Sequence, residues 1–361
     1  MMASNSAAQS VRASIVDLAE KDLPELAGFV ATQSGKDPAE TIAHLIWLLV
    51  ENPARRNDMA LGCGARSSDG ALVGCILYLP QMFIFRNNPV RVLGSTSFYV
   101  EEAHRGSGGA IFLKFARAAQ GAPLFGNSAN AIAAQLWKAR GAKAIPDSDH
   151  ELLGIIRWPS VVEEAMARRS VNASIARLAG AGMGWLRFVR SLKLQQNCAN
   201  RLVKLSSVEQ AKEITRAEAS DAVTALRDQS YLKWRYDSKH DPSIALFAFT
   251  SHYAQTPTFV AVNERHRGHR GQICALNMLD LFPKPDAATT LAIVTALEDR
   301  YRDRADMIVL RGQDEACQKA LVAAGFHRRS FESANGWLFD PRGLAPAKEW
   351  YFVPADGDWL I

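Results

Sequence analysis

The chain has 361 residues, 48% of them hydrophobic, and a formal net charge of +5 at neutral pH. That length suits about two domains with cores of their own, and the mildly basic balance suits a polyanionic ligand, tRNA or an anionic membrane surface better than an acidic partner. The five cysteines, Cys63, Cys75, Cys198, Cys274 and Cys317, are scattered without a C-x-x-C pair, which argues against a disulfide framework or a zinc site and fits a reducing cytoplasm. In chain order, the polar MMASNSAAQS start carries no apolar secretory segment. Val11 to Leu18 alternates as a first strand. Asp22 to Gln33 and Pro38 to Val50 read as helices, closed by Asn52-Pro53. Met59 to Ala65 and Ala71 to Leu79 read as strands joined by the turn SSDG. Ala71 to Phe85 is the longest apolar run. It is too short to span a bilayer, and Pro80-Gln81 divides it into two strands around a bend.

Arg91 to Gln120 is the most informative stretch. Val92 to Val100 is rich in β-branched and aromatic residues and ends in Glu101 and Glu102. HRGSGGA follows, with Gly106, Gly108 and Gly109, and then Ile111, Phe112, Phe115 and Ala119 recur at helical spacing. A glycine-rich turn feeding a helix N-terminus is an anion site, because backbone N–H groups and the helix dipole face outward there. The spacing is neither the dinucleotide fingerprint nor the P-loop. It is R-x-x-G-x-A at Arg105, Gly108 and Ala110, and it resembles the pyrophosphate loop of the GNAT acyltransferase superfamily. That resemblance implies an acyl-coenzyme A site formed by Tyr99, Val100, Arg105, Gly106, Ser107, Gly108, Gly109 and Ala110. Glu101 stands where that family commonly has proline.

A strand at Pro123 to Phe125 is followed by NAIAAQLWKARG, from Asn130 to Gly141, and a strand-like stretch around Ala144. Asn130, Ala133, Leu136 and Gly141 fall in register with a second motif of the same superfamily. The resemblance adds Asn130 and Trp137 to the coenzyme contacts. Trp137 replaces the tyrosine credited in that family with protonating the leaving thiolate, and an indole N–H is no useful acid. Trp137 is therefore read as a packing residue beside the coenzyme. The fold implied is α/β, with two tandem GNAT-like domains, each a twisted mixed sheet flanked by helices.

Residues 165–195 are small, apolar and arginine-rich, and read as a linker helix with a basic face that would suit peripheral contact with anionic lipid. The second half then echoes the first. SYLKWRYDSKHDP echoes HLIWLLVENP, and DEACQKALVAAGF echoes NAIAAQLWKARGA. Trp47 maps to Trp234 and Gly141 to Gly325 at nearly the same offset, the mark of a tandem duplication. After Ile273 to Phe282 the second copy has PKPDAATT in place of the glycine loop, so its coenzyme site is lost. ERHRGHRG, Glu264 to Gly271, lies between two strands and reads as a basic hairpin turn. The domains expected are 1–164 with the acyl-coenzyme A loop, a linker at 165–197, and a degenerate copy at 198–361. The Y-L-x-W-R-Y segment at Tyr231 to Tyr236 and the acidic aromatic tail, with Asp356, Asp358 and Trp359, resemble GNAT-like proteins found with bacterial surface-polysaccharide genes.

The reaction implied is N-acylation of a small amine, an amino sugar or cell-envelope precursor, from acetyl-coenzyme A or another acyl-coenzyme A, without a metal. A carboxylate at the strand end would take the amine proton. Glu101 and Glu102 lie there and, on a strand, would face opposite ways. His104 is a second base candidate. A backbone N–H near Tyr99 or Val100 is the expected oxyanion donor, and the hydroxyls of Tyr99 and Ser97 are candidates for the missing acid. Two other readings stay open. One is a Fem-type aminoacyl transferase using aminoacyl-tRNA, although nucleic acid suits an intact coenzyme loop poorly. The other is a non-catalytic coenzyme-binding module.

Overall fold

The computed structural model describes residues 13–167, 201–215, 222–237, 241–250, 257–268, 271–312 and 314–357. The chain divides into two compact units. The first takes residues 1–83, 89–143 and 337–344, and the second takes 84–88, 144–336 and 345–361.

The first unit opens with β1 (Ser14–Leu18), then α1 (Leu23–Ser34) and α2 (Pro38–Leu45), which runs on into a π turn at Ile46–Val50. Each boundary has a local cause. Asp37 caps α2 by accepting from Ala39 and Glu40, and α1 stops at Gly35, whose φ of 70° favours glycine. β2 (Gly62–Arg66), β3 (Leu72–Phe85) and β4 (Asn88–Val100) follow, then α3 (Gly108–Ala118), β5 (Leu124–Gly126) and α4 (Ala131–Ala139). The apolar run is one strand, not two around a bend. Tyr78 is the residue that still bonds Leu61 on the β2 side, so Pro80 beyond it removes no donor from that ladder, and its carbonyl accepts from Asn52 Nδ2 at 3.1 Å.

β6 (Lys143–Ala144), β7 (His150–Ile155) and α5 (Trp158–Ala167) come next. The second half continues with β8 (Leu202–Lys204), α6 (Val208–Thr215), β9 (Val223–Ala225), α7 (Gln229–Tyr236), β10 (Ile244–Phe249), β11 (Thr258–Arg267) and β12 (Ile273–Phe282). Then come α8 (Ala287–Arg300), β13 (Met307–Leu310), α9 (Glu315–Ala323), β14 (His327–Ser330), β15 (Trp337–Phe339) and β16 (Trp350–Tyr351). β11 and β12 form an antiparallel hairpin, but Glu264 to Arg267, expected within its turn, extend β11 and pair with β12 as far as Arg267 and Ile273.

The first sheet runs β1-β2-β3-β4-β5-β15-β6, with β4 and β5 parallel and β15 antiparallel to β5. The second runs β14-β7-β13-β12-β11-β10-β8, with β12 and β13 parallel and β7 antiparallel to β13. A helix joins each parallel pair, α3 in one sheet and α8 in the other. The strand completing each sheet comes from the other half of the sequence. The boundary at 164 expected from the sequence therefore differs from the division of the units. β7 precedes that boundary yet completes the second sheet, and β15 follows it yet completes the first. The physical reason is edge pairing: β5 and β13 would otherwise present unpaired backbone groups along one side. Beyond Ala167, the linker expected at 165–197, its basic face included, lies outside the described residues, as do Asp358 and Trp359. No helix among the described residues is long and apolar enough to cross a membrane.

In the second unit, one apolar cluster packs Phe247, Val260, Val262, Leu276 and Met278 of the sheet against Ile293, Leu297 and Leu321 of the helices. A polar knot lies among buried residues of the same unit. Arg227 donates to both oxygens of Asp280 and to Asp356, with all three side chains wholly buried. Tyr236 donates to Asp280 at 2.6 Å, Tyr351 to the Leu281 carbonyl at 2.9 Å, and Arg235 to the Gly357 carbonyl. Asp356 thus ties the chain end to the fold, and Tyr231 to Tyr236 supply the buried side chains of α7.

Candidate functional site

The long strand β4 brings Tyr99 and Val100 to the start of the loop. Ser97, inside this strand, sits in the left-handed region at φ 48°, which a non-glycine residue adopts at a local cost. This distortion lies two residues before the position expected for the oxyanion donor. Ser97 itself is buried. Its carbonyl accepts from Cys75 Sγ at 3.4 Å, and its hydroxyl lies 3.4 Å from that of Thr96. Burial pushes the Cys75 thiol up to about 12 and Cys63 up to about 11, so neither is a thiolate nucleophile at neutral pH.

The strand ends where the Glu101 N–H donates to the Val73 carbonyl at 2.9 Å. Residues Glu102–Ser107 form a 3₁₀ turn that runs straight into α3. The expectation that Glu101 and Glu102 alternate on a strand is therefore replaced. Glu101 stands at the N-cap position of the turn without a side-chain cap, and Glu102 is inside it. The Glu101 carboxylate lies 3.6 Å from His104 Nδ1, and the His104 side chain is only 13% exposed. That nitrogen is buried without a hydrogen-bond partner. The Glu102 side chain is almost fully exposed and lies 3.5 Å from Arg105 Nη1, itself 63% exposed. An exposed pair at this spacing is worth about 0.3–0.5 kcal/mol, so Arg105 is readily drawn to a stronger anion. Sequence reasoning gave His104 a secondary place. Its pairing with Glu101 follows from the 3₁₀ turn, which brings positions three apart to one side.

The glycines set the shape of the site. None of Gly106, Gly108 and Gly109 has a left-handed φ. A Cβ added at Gly106 or Gly109 would meet nothing within 4 Å, and one at Gly108 would make ordinary 3.8 Å contacts with Phe98 and Val100. The fold therefore has no conformational or packing need for glycine here, although glycine in a helix costs about 0.8–1 kcal/mol against alanine. Ser107, at the head of α3, makes no side-chain cap, whereas Asp37, Asn130, Asp228, Asp286 and Asp314 all cap their helices. The 3₁₀ turn runs through Ser107 into α3, and the Gly108 N–H already donates to the Arg105 carbonyl, so what the glycines leave is a surface at Gly106 and Gly109 without side chains, which a ligand can approach closely.

Beyond Ala110 the outward side of α3 borders a cavity of about 480 Å³, lined also by Asp17, Tyr78, Lys114 and Arg117. Lys114 pairs with Asp17 at 2.9 Å across it. The other motif behaves differently. Asn130 is the N-cap of α4, its Oδ1 accepting from Ala133 at 2.9 Å. Trp137 is 2% exposed and packs edge-on against Phe112 at 5.0 Å and Phe115 at 6.1 Å. Its ring is packed in the core and leaves little surface for a ligand. The structure thus gathers Tyr99 to Ala110 at one end of the sheet, with Trp137 buried against α3.

No protein-family profile and no curated protein matches the sequence. Solved structures do match the fold. A GCN5-related N-acetyltransferase of Anabaena variabilis superposes with a TM-score of 0.57 at 10% identity, over 92% of this chain and 73% of the other. One from Kribbella flavida gives 0.51 at 13% identity, over 92% and 72%. The N-myristoyltransferase of Saccharomyces cerevisiae, solved with bound myristoyl-CoA, gives 0.52 at 11% identity, over 92% and 83%. The fold is therefore that of GNAT-type neighbours, with two mixed sheets flanked by helices.

Proposed function

We propose that this chain is an acyl-coenzyme A-dependent N-acyltransferase whose coenzyme is held by residues 105–110. The observation that carries the reading is the glycine face. Glycines at 106 and 109 meet no backbone or packing requirement of the fold, and they leave the surface of the turn into α3 free of side chains. A pyrophosphate laid against that face would accept from backbone N–H groups and draw Arg105 from Glu102. The fold neighbours, one of them solved with myristoyl-CoA, support the reading at the level of fold.

In the proposed chemistry Glu101 takes the proton of the attacking amine, directly or through His104, which lies 3.6 Å away. A backbone N–H at Tyr99 or Val100 faces the developing oxyanion, next to the distortion at Ser97. With Trp137 buried, the Tyr99 hydroxyl or water returns a proton to the leaving thiolate. The acceptor in this reading is a small amine, an amino sugar or cell-envelope precursor, and the setting is cytoplasmic. The second unit is read as a tandem copy without a coenzyme loop, since PKPDAATT stands in place of the glycines and Asp286 caps α8. The test is calorimetric titration with acetyl-coenzyme A, followed by thiol release with a panel of amines. Binding with amine-dependent thiol release supports the proposal. Binding without release leaves a coenzyme-binding module, and absence of binding overturns the site.

A further inference from the structure

We propose that the cavity beside α3 in the first unit is a binding site for a small alkyl monocarboxylate, separate from the coenzyme loop. Residues three and four apart share one face of a helix. Ile111, Phe112, Phe115 and Ala116 make up the buried face of α3. Ala110, Leu113, Lys114, Arg117 and Ala118 fall on the other face and form one wall of the cavity. Ile15 and Asp17 of β1 and Tyr78 of β3 form the rest of its described lining. Its volume of about 480 Å³ lies within the ~300–1,000 Å³ usual for small-molecule sites. It shares only Ala110 with the residues proposed to hold the coenzyme.

The lining selects both halves of such a ligand. Leu113 is 44% exposed and Ile15 half-buried, so aliphatic surface faces the cavity, and the small side chains of Ala110 and Ala118 leave room beside it. An alkyl chain laid there covers that surface. Among the charged lining residues one positive charge is in excess. Lys114 pairs with Asp17 at 2.9 Å, and the exposed Arg117 guanidinium has no ion-pair or hydrogen-bond partner among the described residues. A single carboxylate matches that excess and fits the planar guanidinium fork, whereas a phosphate dianion would overshoot it.

Tyr78 adds an independent observation. It is 3% exposed, and its hydroxyl is closed off from solvent without a hydrogen-bond partner. The polar group beside it is the Cys63 thiol, a weak acceptor whose own S–H is given to the Ile111 carbonyl at 3.4 Å. Burial, with Cys63 and then Asp17 nearby, pushes the phenol above its ordinary value, so it is a neutral donor at physiological pH. A buried donor left unmade is a standing cost that an entering acceptor removes. The Asp17 side chain is 63% exposed, and an ion pair so open to water is weak. An incoming carboxylate can therefore take Lys114 from Asp17 and bring an oxygen to Tyr78, while Arg117 holds its charge from the rim.

The experiment is calorimetric titration of the full chain with butyrate, hexanoate and octanoate at fixed ionic strength, with chloride and 1-octanol as controls. Affinity rises along the series, by up to about fourfold for each methylene that is fully buried. Octanoate binds about tenfold more tightly than 1-octanol, which lacks the charge. Arg117→Gln, on the surface, weakens octanoate about tenfold, and Arg117→Lys is intermediate because it keeps charge but loses the fork. Tyr78→Phe keeps the ring against Phe115 and also weakens octanoate, yet it melts no lower than the parent, because no hydrogen bond is lost with the hydroxyl. Arg105→Gln and saturating acetyl-coenzyme A leave octanoate binding unchanged, which separates this cavity from the coenzyme loop. No octanoate binding beyond the chloride control, equal binding of butyrate or 1-octanol, full affinity in Arg117→Gln or Tyr78→Phe, or displacement by acetyl-coenzyme A overturns the proposal.

Discussion

Gly109→Ala separates what the fold needs from what a ligand needs. Gly109 is the second residue of α3, with helical backbone, and an added methyl meets no neighbour within 4 Å. Alanine is favoured over glycine by up to about 0.8–1 kcal/mol in a helix, so the variant should be as stable as the parent or slightly more so. The same methyl would project from the open face where a phosphate is proposed to lie. Pushing one phosphate oxygen off a backbone N–H forfeits a hydrogen bond to a charged group, worth about 1.5–3 kcal/mol. At about 1.4 kcal/mol per decade, acetyl-coenzyme A should bind about 10- to 100-fold more weakly. Thermal melting and calorimetry on the same preparation read the two effects. Gly28→Ala is the matched control, because Gly28 lies within α1 and an added Cβ there also meets nothing. It should gain stability without losing affinity. If Gly109→Ala binds acetyl-coenzyme A as tightly as Gly28→Ala does, the glycine face is not a ligand seat, and the reasoning behind the proposed function fails.

Glu101→Gln should lower the rate of acyl transfer by about two to four orders of magnitude with coenzyme affinity nearly unchanged, measured by steady-state thiol release and calorimetry; Glu102→Gln, on an exposed side chain, should stay within a few-fold of the parent. Coenzyme titration should saturate at a single site per chain, because PKPDAATT replaces the glycine loop and Asp286 caps α8, and a clear second site would refute the loss assigned to the second copy. Arg227→Met should cost about 3–5 kcal/mol in urea denaturation, since it leaves Asp280 and Asp356 buried without their cation. Burial outweighs Arg227 and pushes Asp356 up to about 6. Its folded value exceeds that of an unfolded aspartate, so its contribution is fully present below about pH 4 and is lost as pH rises through about 6. Asp356→Asn should flatten the fall in stability over that window, and an unchanged pH profile would show that Asp356 titrates normally.

What the sequence determined by itself is mostly local. Strand β12 runs over the expected residues, Ile273 to Phe282, because its apolar run and flanking turns are local to the segment. The helix starts at Asn130 and Asp314 are legible because a capping side chain bonds a backbone N–H three residues on. The glycine loop was legible as spacing, although only the structure shows that Gly106 and Gly109 have no packing reason to be glycine. Tertiary structure decided the rest. Which strand completes β5 or β13 depends on partners far along the chain, and closing a longer loop costs only slightly more than closing a short one. Nothing near His150 to Ile155 therefore tells it to pair with β13 and β14 rather than within its own half. Trp137 was legible as a packing residue, but which rings it packs against, Phe112 and Phe115 on another helix, is set by the tertiary structure. The meeting of Glu151 with three arginines from separate strands is likewise a product of sheet register, which no short stretch of sequence encodes.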